Sequence, residues 1–203
     1  MKKVFSVFSY LFHPIFIPIY SCLFYFYINE SFVSYLKYAI YLILFQVTIL
    51  TIFIPITFFY LLRSLGKIDT IMASEISQRK LPLLFQAILL TVLIYKGTTI
   101  DVVPELYFYF LGAIISTLLA FIFLFLQIKT SLHLLGMSSF LFFAMGLSIH
   151  NEVNFSAIII ALILLNGIVA TSRLAMNAHN MKELSLGFLV GVVPQVALWQ
   201  FWL

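Results

Sequence analysis

Charge is what this sequence has least of. Only 9% of its 203 residues are Asp, Glu, Lys or Arg, and 11 basic against 7 acidic side chains leave a net charge of +4. A balance so small and diffuse does not suggest a nucleic-acid partner, which calls for a clustered basic surface. Cysteine is nearly missing too, and the single Cys22 excludes an internal disulfide and a cysteine-rich metal site. A chain of this length has room for one bundle and for no soluble domain beside it.

Hydrocarbon fills the remainder. Hydrophobic residues make up 64% of the chain and the mean hydropathy is +1.14. Apolar runs of about 20 residues recur, the length that crosses roughly 30 Å of lipid as a helix. They are apolar on every side, which fits helices buried in lipid and in one another; a barrel would alternate polar and apolar positions. The expected fold class is all-α, a polytopic transmembrane helical bundle of six to seven spans, with residues 1–203 as a single integral membrane domain.

The first run, 4–28, follows Met1-Lys2-Lys3 and imitates a signal peptide, but Pro14 and Pro18 interrupt it and no small-residue cleavage site follows. Ile19-Tyr20-Ser21-Cys22 is a poor lipoprotein cleavage box because of its tyrosine. The run reads as a retained span kinked at His13-Pro14 and Pro18, where freed carbonyls need other partners, and His13 reads as structural. After a polar turn at Asn29, Glu30 and Ser31, a second span covers 38–62, with Lys37 able to reach the interface. The basic segment 63–80 then leaves the membrane. Pro82 stands where a proline can open the next helix, and the third span, 81–95, is short enough to be a partial or tilted crossing. The fourth covers 106–126, the fifth ends near 149, the sixth covers 155–170 and the last begins near 184. That last span carries Gly187-Phe188-Leu189-Val190-Gly191, a GxxxG face that admits another helix closely.

Seven crossings put the segment 63–80, the turn Lys129-Thr130-Ser131-Leu132-His133 and the polar island 171–183 on one side of the membrane, against Glu30, Asp101, Glu105 and Glu152 on the other. Placing Lys129 or His133 deep in lipid would cost about 2.5 to 3.5 kcal/mol for a charged group on insertion scales, so these residues belong at the interface or facing a wet interior. In the island, His179 and Glu183 are four apart and share a helix face, so the carboxylate can hold one imidazole nitrogen and present the other. Arg173 lies about 240° around an ideal helix from His179, so the chain must bend between them for both to reach one ligand. Together Arg79, Lys80, Lys129, Ser131 and Arg173 suit an anionic head group.

These residues resemble a known family. Ser172-Arg173, His179 and Glu183 are similar to the third signature of the type 2 phosphatidic acid phosphatase (PAP2) superfamily, S-R-x5-H-x3-D, with glutamate for aspartate. Thr130-Ser131-Leu132-His133 resembles the second, P-S-G-H, without its glycine, and Arg79-Lys80-Leu81-Pro82 resembles part of the first, K-x6-R-P, without its lysine. The opening His13-Pro14 and the spacing of the pieces also resemble small PAP2-like membrane proteins of Bacteroidetes-type bacteria.

The resemblance implies a PAP2-like fold in the bacterial inner membrane. It further implies a metal-free, cofactor-free phosphatase acting on a membrane lipid phosphate or an isoprenoid pyrophosphate. In that mechanism His179 forms a phosphohistidine, Glu183 orients it and His133 protonates the leaving oxygen. Arg173, Arg79 or Lys80, and Ser131, with Lys129 and Ser172 beside them, hold the phosphate. The alternative is a catalytically inactive PAP2-like subunit that binds lipid or docks to a membrane protein complex through Gly187 and Gly191. A small transporter, suggested by the broken first helix, is a third. Basic loops favour the cytoplasmic side for the clusters, whereas bacterial PAP2 enzymes present their site to the periplasm.

Overall fold

The computed structural model describes residues 2–29, 37–69 and 75–203, with side chains from Val7 onward and excepting Lys37. Expectations resting on Met1, Glu30, Ser31 and the side chains of Lys2, Lys3 and Lys37 lie outside the described residues. Every regular element within them is helical: α1 (Lys2–Leu11), α2 (Ile17–Ile28), α3 (Lys37–Thr48), α4 (Ile54–Ser64), α5 (Ile76–Lys96), α6 (Pro104–Phe125), α7 (Leu132–His150), α8 (Ser156–Ala175) and α9 (Met181–Leu198). Six helical stretches are long and apolar enough to cross a membrane: Tyr38–Ser64 and then α5 to α9, the last extended to Phe201 by a 3-10 turn. Their outward faces carry Ile88, Val92, Ile122, Ile160, Ile163, Leu164, Leu189 and Val193, all exposed. In water such a surface would aggregate; in lipid it is the solvent-facing side. The chain is a multi-pass helical membrane protein.

Proline accounts for two departures from the expected spans. The first apolar run is not one helix but two, of 10 and 12 residues. At about 1.5 Å per residue neither alone spans the hydrocarbon, and the break falls at residues 12–16, where His13-Pro14 interrupts the amide ladder. In the second span Pro55 has no N–H to give, and the helix answers with a π turn at Ile49–Phe53 between α3 and α4.

Pro82, by contrast, does not open its helix. α5 begins at Ile76 and carries Pro82 inside it, so this span is 21 residues long and fully able to cross. The expected short third span is thereby corrected: Ser77-Gln78-Arg79-Lys80 form helix, not loop. That change matters for the site, because successive helical residues are about 100° apart and Arg79 and Lys80 must diverge.

The centre of the bundle is α7, the most buried of the six long helices among the described residues. It packs most closely against α9, where small residues let the backbones meet. A methyl at Gly187 would lie 2.5 Å from the Ser131 carbonyl, and one at Gly191 would strike Ser138 Oγ and the Leu135 carbonyl. The GxxxG face is therefore filled by the protein's own α7, which corrects its expected availability to a partner through Gly187 and Gly191. Ser138 Oγ donates to the Phe188 carbonyl and Ser139 Oγ to the Gly191 carbonyl, and Gln195 Nε2 donates across Gly112 to the Tyr109 carbonyl.

The two membrane surfaces carry different polar groups. At one, Glu105 accepts from Tyr25 at 2.8 Å and lies 3.4 Å from His150, above an aromatic core that includes Phe110, Phe143 and Trp202. At the other, the end of α6, the start of α7, the start of α5 and the loop from α8 to α9 meet. The sequence clusters lie there.

Candidate functional site

Two loops bring the polar island and the Lys129 turn into position, and both begin with the same backbone device. α8 ends in a Schellman motif: Ala178 N–H donates to the Arg173 carbonyl and Asn177 N–H to that of Leu174, with Asn177 in the left-handed region at φ 53. The chain thus reverses between Arg173 and His179, the bend that their helical phase demands. α6 closes the same way, with Gln127 at φ 58 and Ile128 N–H donating to the Phe123 carbonyl. Asn180 then caps α9, its Oδ1 accepting from Glu183 N–H at 3.0 Å.

The loops are laced to one another through main-chain atoms. Ser131 N–H donates to the Glu183 carbonyl at 3.1 Å, Arg79 Nη1 to the Thr130 carbonyl at 3.1 Å, and Lys129 Nζ to the Ala178 carbonyl at 3.0 Å. Residues 79, 130 and 178, far apart in sequence, are thereby held in one layer.

Within it, His179 Nδ1 lies 2.7 Å from Glu183 Oε2. A carboxylate accepts there, so Nδ1 carries the proton and Nε2 keeps its lone pair. Burial, and next the guanidinium of Arg79, the ammonium of Lys129 and Arg173, push the imidazole down to about 4, outweighing the upward pull of Glu183. At neutral pH His179 is neutral, the form that can attack. The Lys129 ammonium is itself lowered, first by burial and then by Arg79.

His133, on the first turn of α7, is 5% exposed, and its Nε2 lies 3.0 Å from the Ser9 carbonyl. Only a protonated Nε2 can make that bond, so Nδ1 is the nitrogen left for proton transfer. The ring meets His13 edge to face with centroids 5.2 Å apart.

A cavity of about 150 Å³ joins these groups. His13, His133, His179, Arg79 and Arg173 gather at one end, and no carboxylate is in its wall among the described residues. From there it runs between α5, α6 and α7 along Pro82, Leu83, Gln86 and Leu90 on one helix, Tyr109, Ala113 and Thr117 on the next, and Leu135, Gly136 and Ser139 on the third. Eleven residues separate Arg79 from Leu90, about 16 Å of helix, so the apolar part reaches roughly to mid-membrane.

Arg173 is 4% exposed and makes no ion pair among the described residues, and its Nε lacks a hydrogen-bond partner there. A buried guanidinium with no carboxylate carries a large desolvation cost that an anion would offset.

No family model, curated protein or solved structure matches this chain.

Of the residues expected from sequence, the cavity gathers His179, His133, Arg173 and Arg79, with Glu183 behind His179. It does not gather the others. Lys80, about 100° further round α5 and outside the cavity wall, lies over the Phe125 ring at 4.5 Å. Ser172 Oγ shares a hydrogen bond of 2.6 Å with Ser9 Oγ, and Lys129 braces a loop. Ser131 is wholly buried, its Oγ without a partner among the described residues, and contributes its N–H to the lacing. Sequence reasoning missed His13 and Gln86 as wall residues. The signal for His13 was present in the His-Pro break within an apolar run. Among the described residues no three of His, Cys, Asp and Glu cluster as ligands for one ion.

Proposed function

We propose that this protein is a lipid phosphate or isoprenoid pyrophosphate phosphatase of PAP2-like fold, working through a phosphohistidine in a bacterial inner membrane. The observation that carries the reading is one cavity with two arginines and a carboxylate-oriented histidine at its polar end and an apolar groove behind them. The polar end matches a phosphate in charge and in donor geometry, and the groove matches a hydrocarbon chain.

In this reading Arg79 and Arg173 hold the phosphoryl oxygens while His179 Nε2 attacks phosphorus. A P–N bond forms as the bond to the lipid oxygen breaks. His133, protonated on both nitrogens once the anionic phosphate is bound and held through Nε2–H by the Ser9 carbonyl, gives that oxygen its Nδ1 proton and regains one from the water that attacks next. Water then attacks the phosphohistidine, returning Nε2 and releasing phosphate. Glu183 holds the tautomer and stabilises the charge that develops on the imidazole. The glutamate that departs from the family signature is positioned to do this, with its oxygen 2.7 Å from Nδ1.

Phosphate release from lipid phosphates and undecaprenyl pyrophosphate by the purified protein tests the proposal. His179→Ala is expected to lower the rate by about 10³-fold or more, and unchanged turnover in that variant would sink the mechanism.

A further inference from the structure

The site contains a histidine that the mechanism above leaves idle. His13 sits in the elbow between α1 and α2 and lines the polar end of the cavity beside His133, Arg79 and Arg173. Its Nδ1 accepts from the Ile15 backbone N–H at 3.4 Å. An acceptor nitrogen carries no proton, so in this neutral ring the hydrogen is on Nε2. That nitrogen makes no hydrogen bond among the described residues, and it lies on the ring edge remote from the Ile15 amide.

The elbow is fixed to the rest of the site. Ser9 Oγ shares its bond with Ser172 Oγ, the Ser9 carbonyl accepts from His133, and Tyr20 Oη donates to the Leu11 carbonyl at 3.0 Å. A donor mounted this way needs little further ordering to meet a ligand.

We propose that His13 is a phosphate-binding residue, with Nε2–H donating to a phosphoryl oxygen held by Arg79 and Arg173, so that the amino-terminal elbow forms one wall of the binding site. This rests on the phosphate-site reading above and adds to it a neutral donor from an element that the sequence assigns to a membrane span. Because the imidazole donates without being charged, it adds directionality to a pocket whose charge the two arginines already supply. No proton is transferred, and His133 remains the acid.

Binding of inorganic phosphate and of dodecyl phosphate to the full-length protein in nanodiscs, followed by calorimetry, tests this, with thermal unfolding of each variant as the check on folding. His13→Phe keeps a ring and removes the N–H; His13→Gln places an amide N–H near the position of Nε2. The expected result is a loss of about ten- to a hundredfold in affinity for both ligands in His13→Phe, with His13→Gln restoring most of it.

Wild-type affinity in His13→Phe, while Arg173→Ala binds weakly, would overturn the role of His13 and leave the phosphate site standing. Equal losses in His13→Phe and His13→Gln, or a loss confined to dodecyl phosphate, would show that the ring acts by shape or against the chain and would overturn the donor role. Wild type and Arg173→Ala binding inorganic phosphate alike would overturn the phosphate site and this inference together.

Discussion

At the scale of single residues, the pair His179 and Glu183 sets the chemistry. Burial among cations holds the imidazole at about 4 against an ordinary value near 6.5. Since the neutral ring is the nucleophile, the rate should persist well below pH 6 and fall only as pH drops through about 4. The acid limb of kcat/KM, after allowance for the substrate's own ionisation, measures this. Linkage gives the same window for stability: between about 6.5 and 4 the unfolded chain takes up a proton at this position that the native state refuses, so this contribution to stability declines as pH falls. In Glu183→Gln the carboxylate that favours the correct tautomer is gone, and kcat should drop by about 10²- to 10⁴-fold with the limb displaced to still lower pH. Stopped-assay kinetics on the wild type and on Glu183→Gln would detect either effect.

At the scale of elements, the contact between α7 and α9 carries the burden of assembly. Gly191→Ala would thrust a methyl into Ser138 Oγ and the Leu135 carbonyl, neither of which can yield freely, and should destabilise the protein by about 1–3 kcal/mol. Gly167→Ala, on α8, meets nothing within 4 Å. It should be neutral or stabilising by about 1 kcal/mol through helix propensity. Thermal unfolding in detergent would separate them. The same helices show what sequence could and could not reveal. Apolar length was enough to find the spans from α5 to α9, because lipid permits few alternatives to a continuous helix. The reversal after Arg173 was also legible, since it follows from helical phase. The pairing of His179 with Glu183 was legible as a contact but not as a shared helix face, because His179 precedes the Asn180 cap and meets Glu183 across it. The start of α5 was not, because a proline reads alike at a first turn and within a helix that tolerates the lost bond. Neither was the splitting of Arg79 from Lys80, nor the covering of Gly187 and Gly191, since both depend on which neighbour each face meets. His13 escaped for a similar reason: only the folded elbow brings residue 13 to residue 133.

At the scale of the whole molecule, the six long helices divide the polar groups between two surfaces. Single cysteines at Gln127 and at Asn177 should react with a membrane-impermeant thiol reagent from one side, and those at Asp101 and Glu152 from the other. The native Cys22 is wholly buried and should give little background. Labelling of all four positions from the same side would refute the arrangement. The main-chain lacing between the loops has a further consequence for how such a protein varies in sequence. Thr130 and Ala178 give only carbonyl oxygens to Arg79 and Lys129, and every amino acid owns one. Selection acting through that contact is blind to the side chain at either position. A scan of substitutions would find the half-buried Ala178 permissive although it sits in the clamp, whereas Thr130, 1% exposed, would accept only side chains of about its own size. Tolerance at residue 178 would mark a backbone contact and not an idle loop.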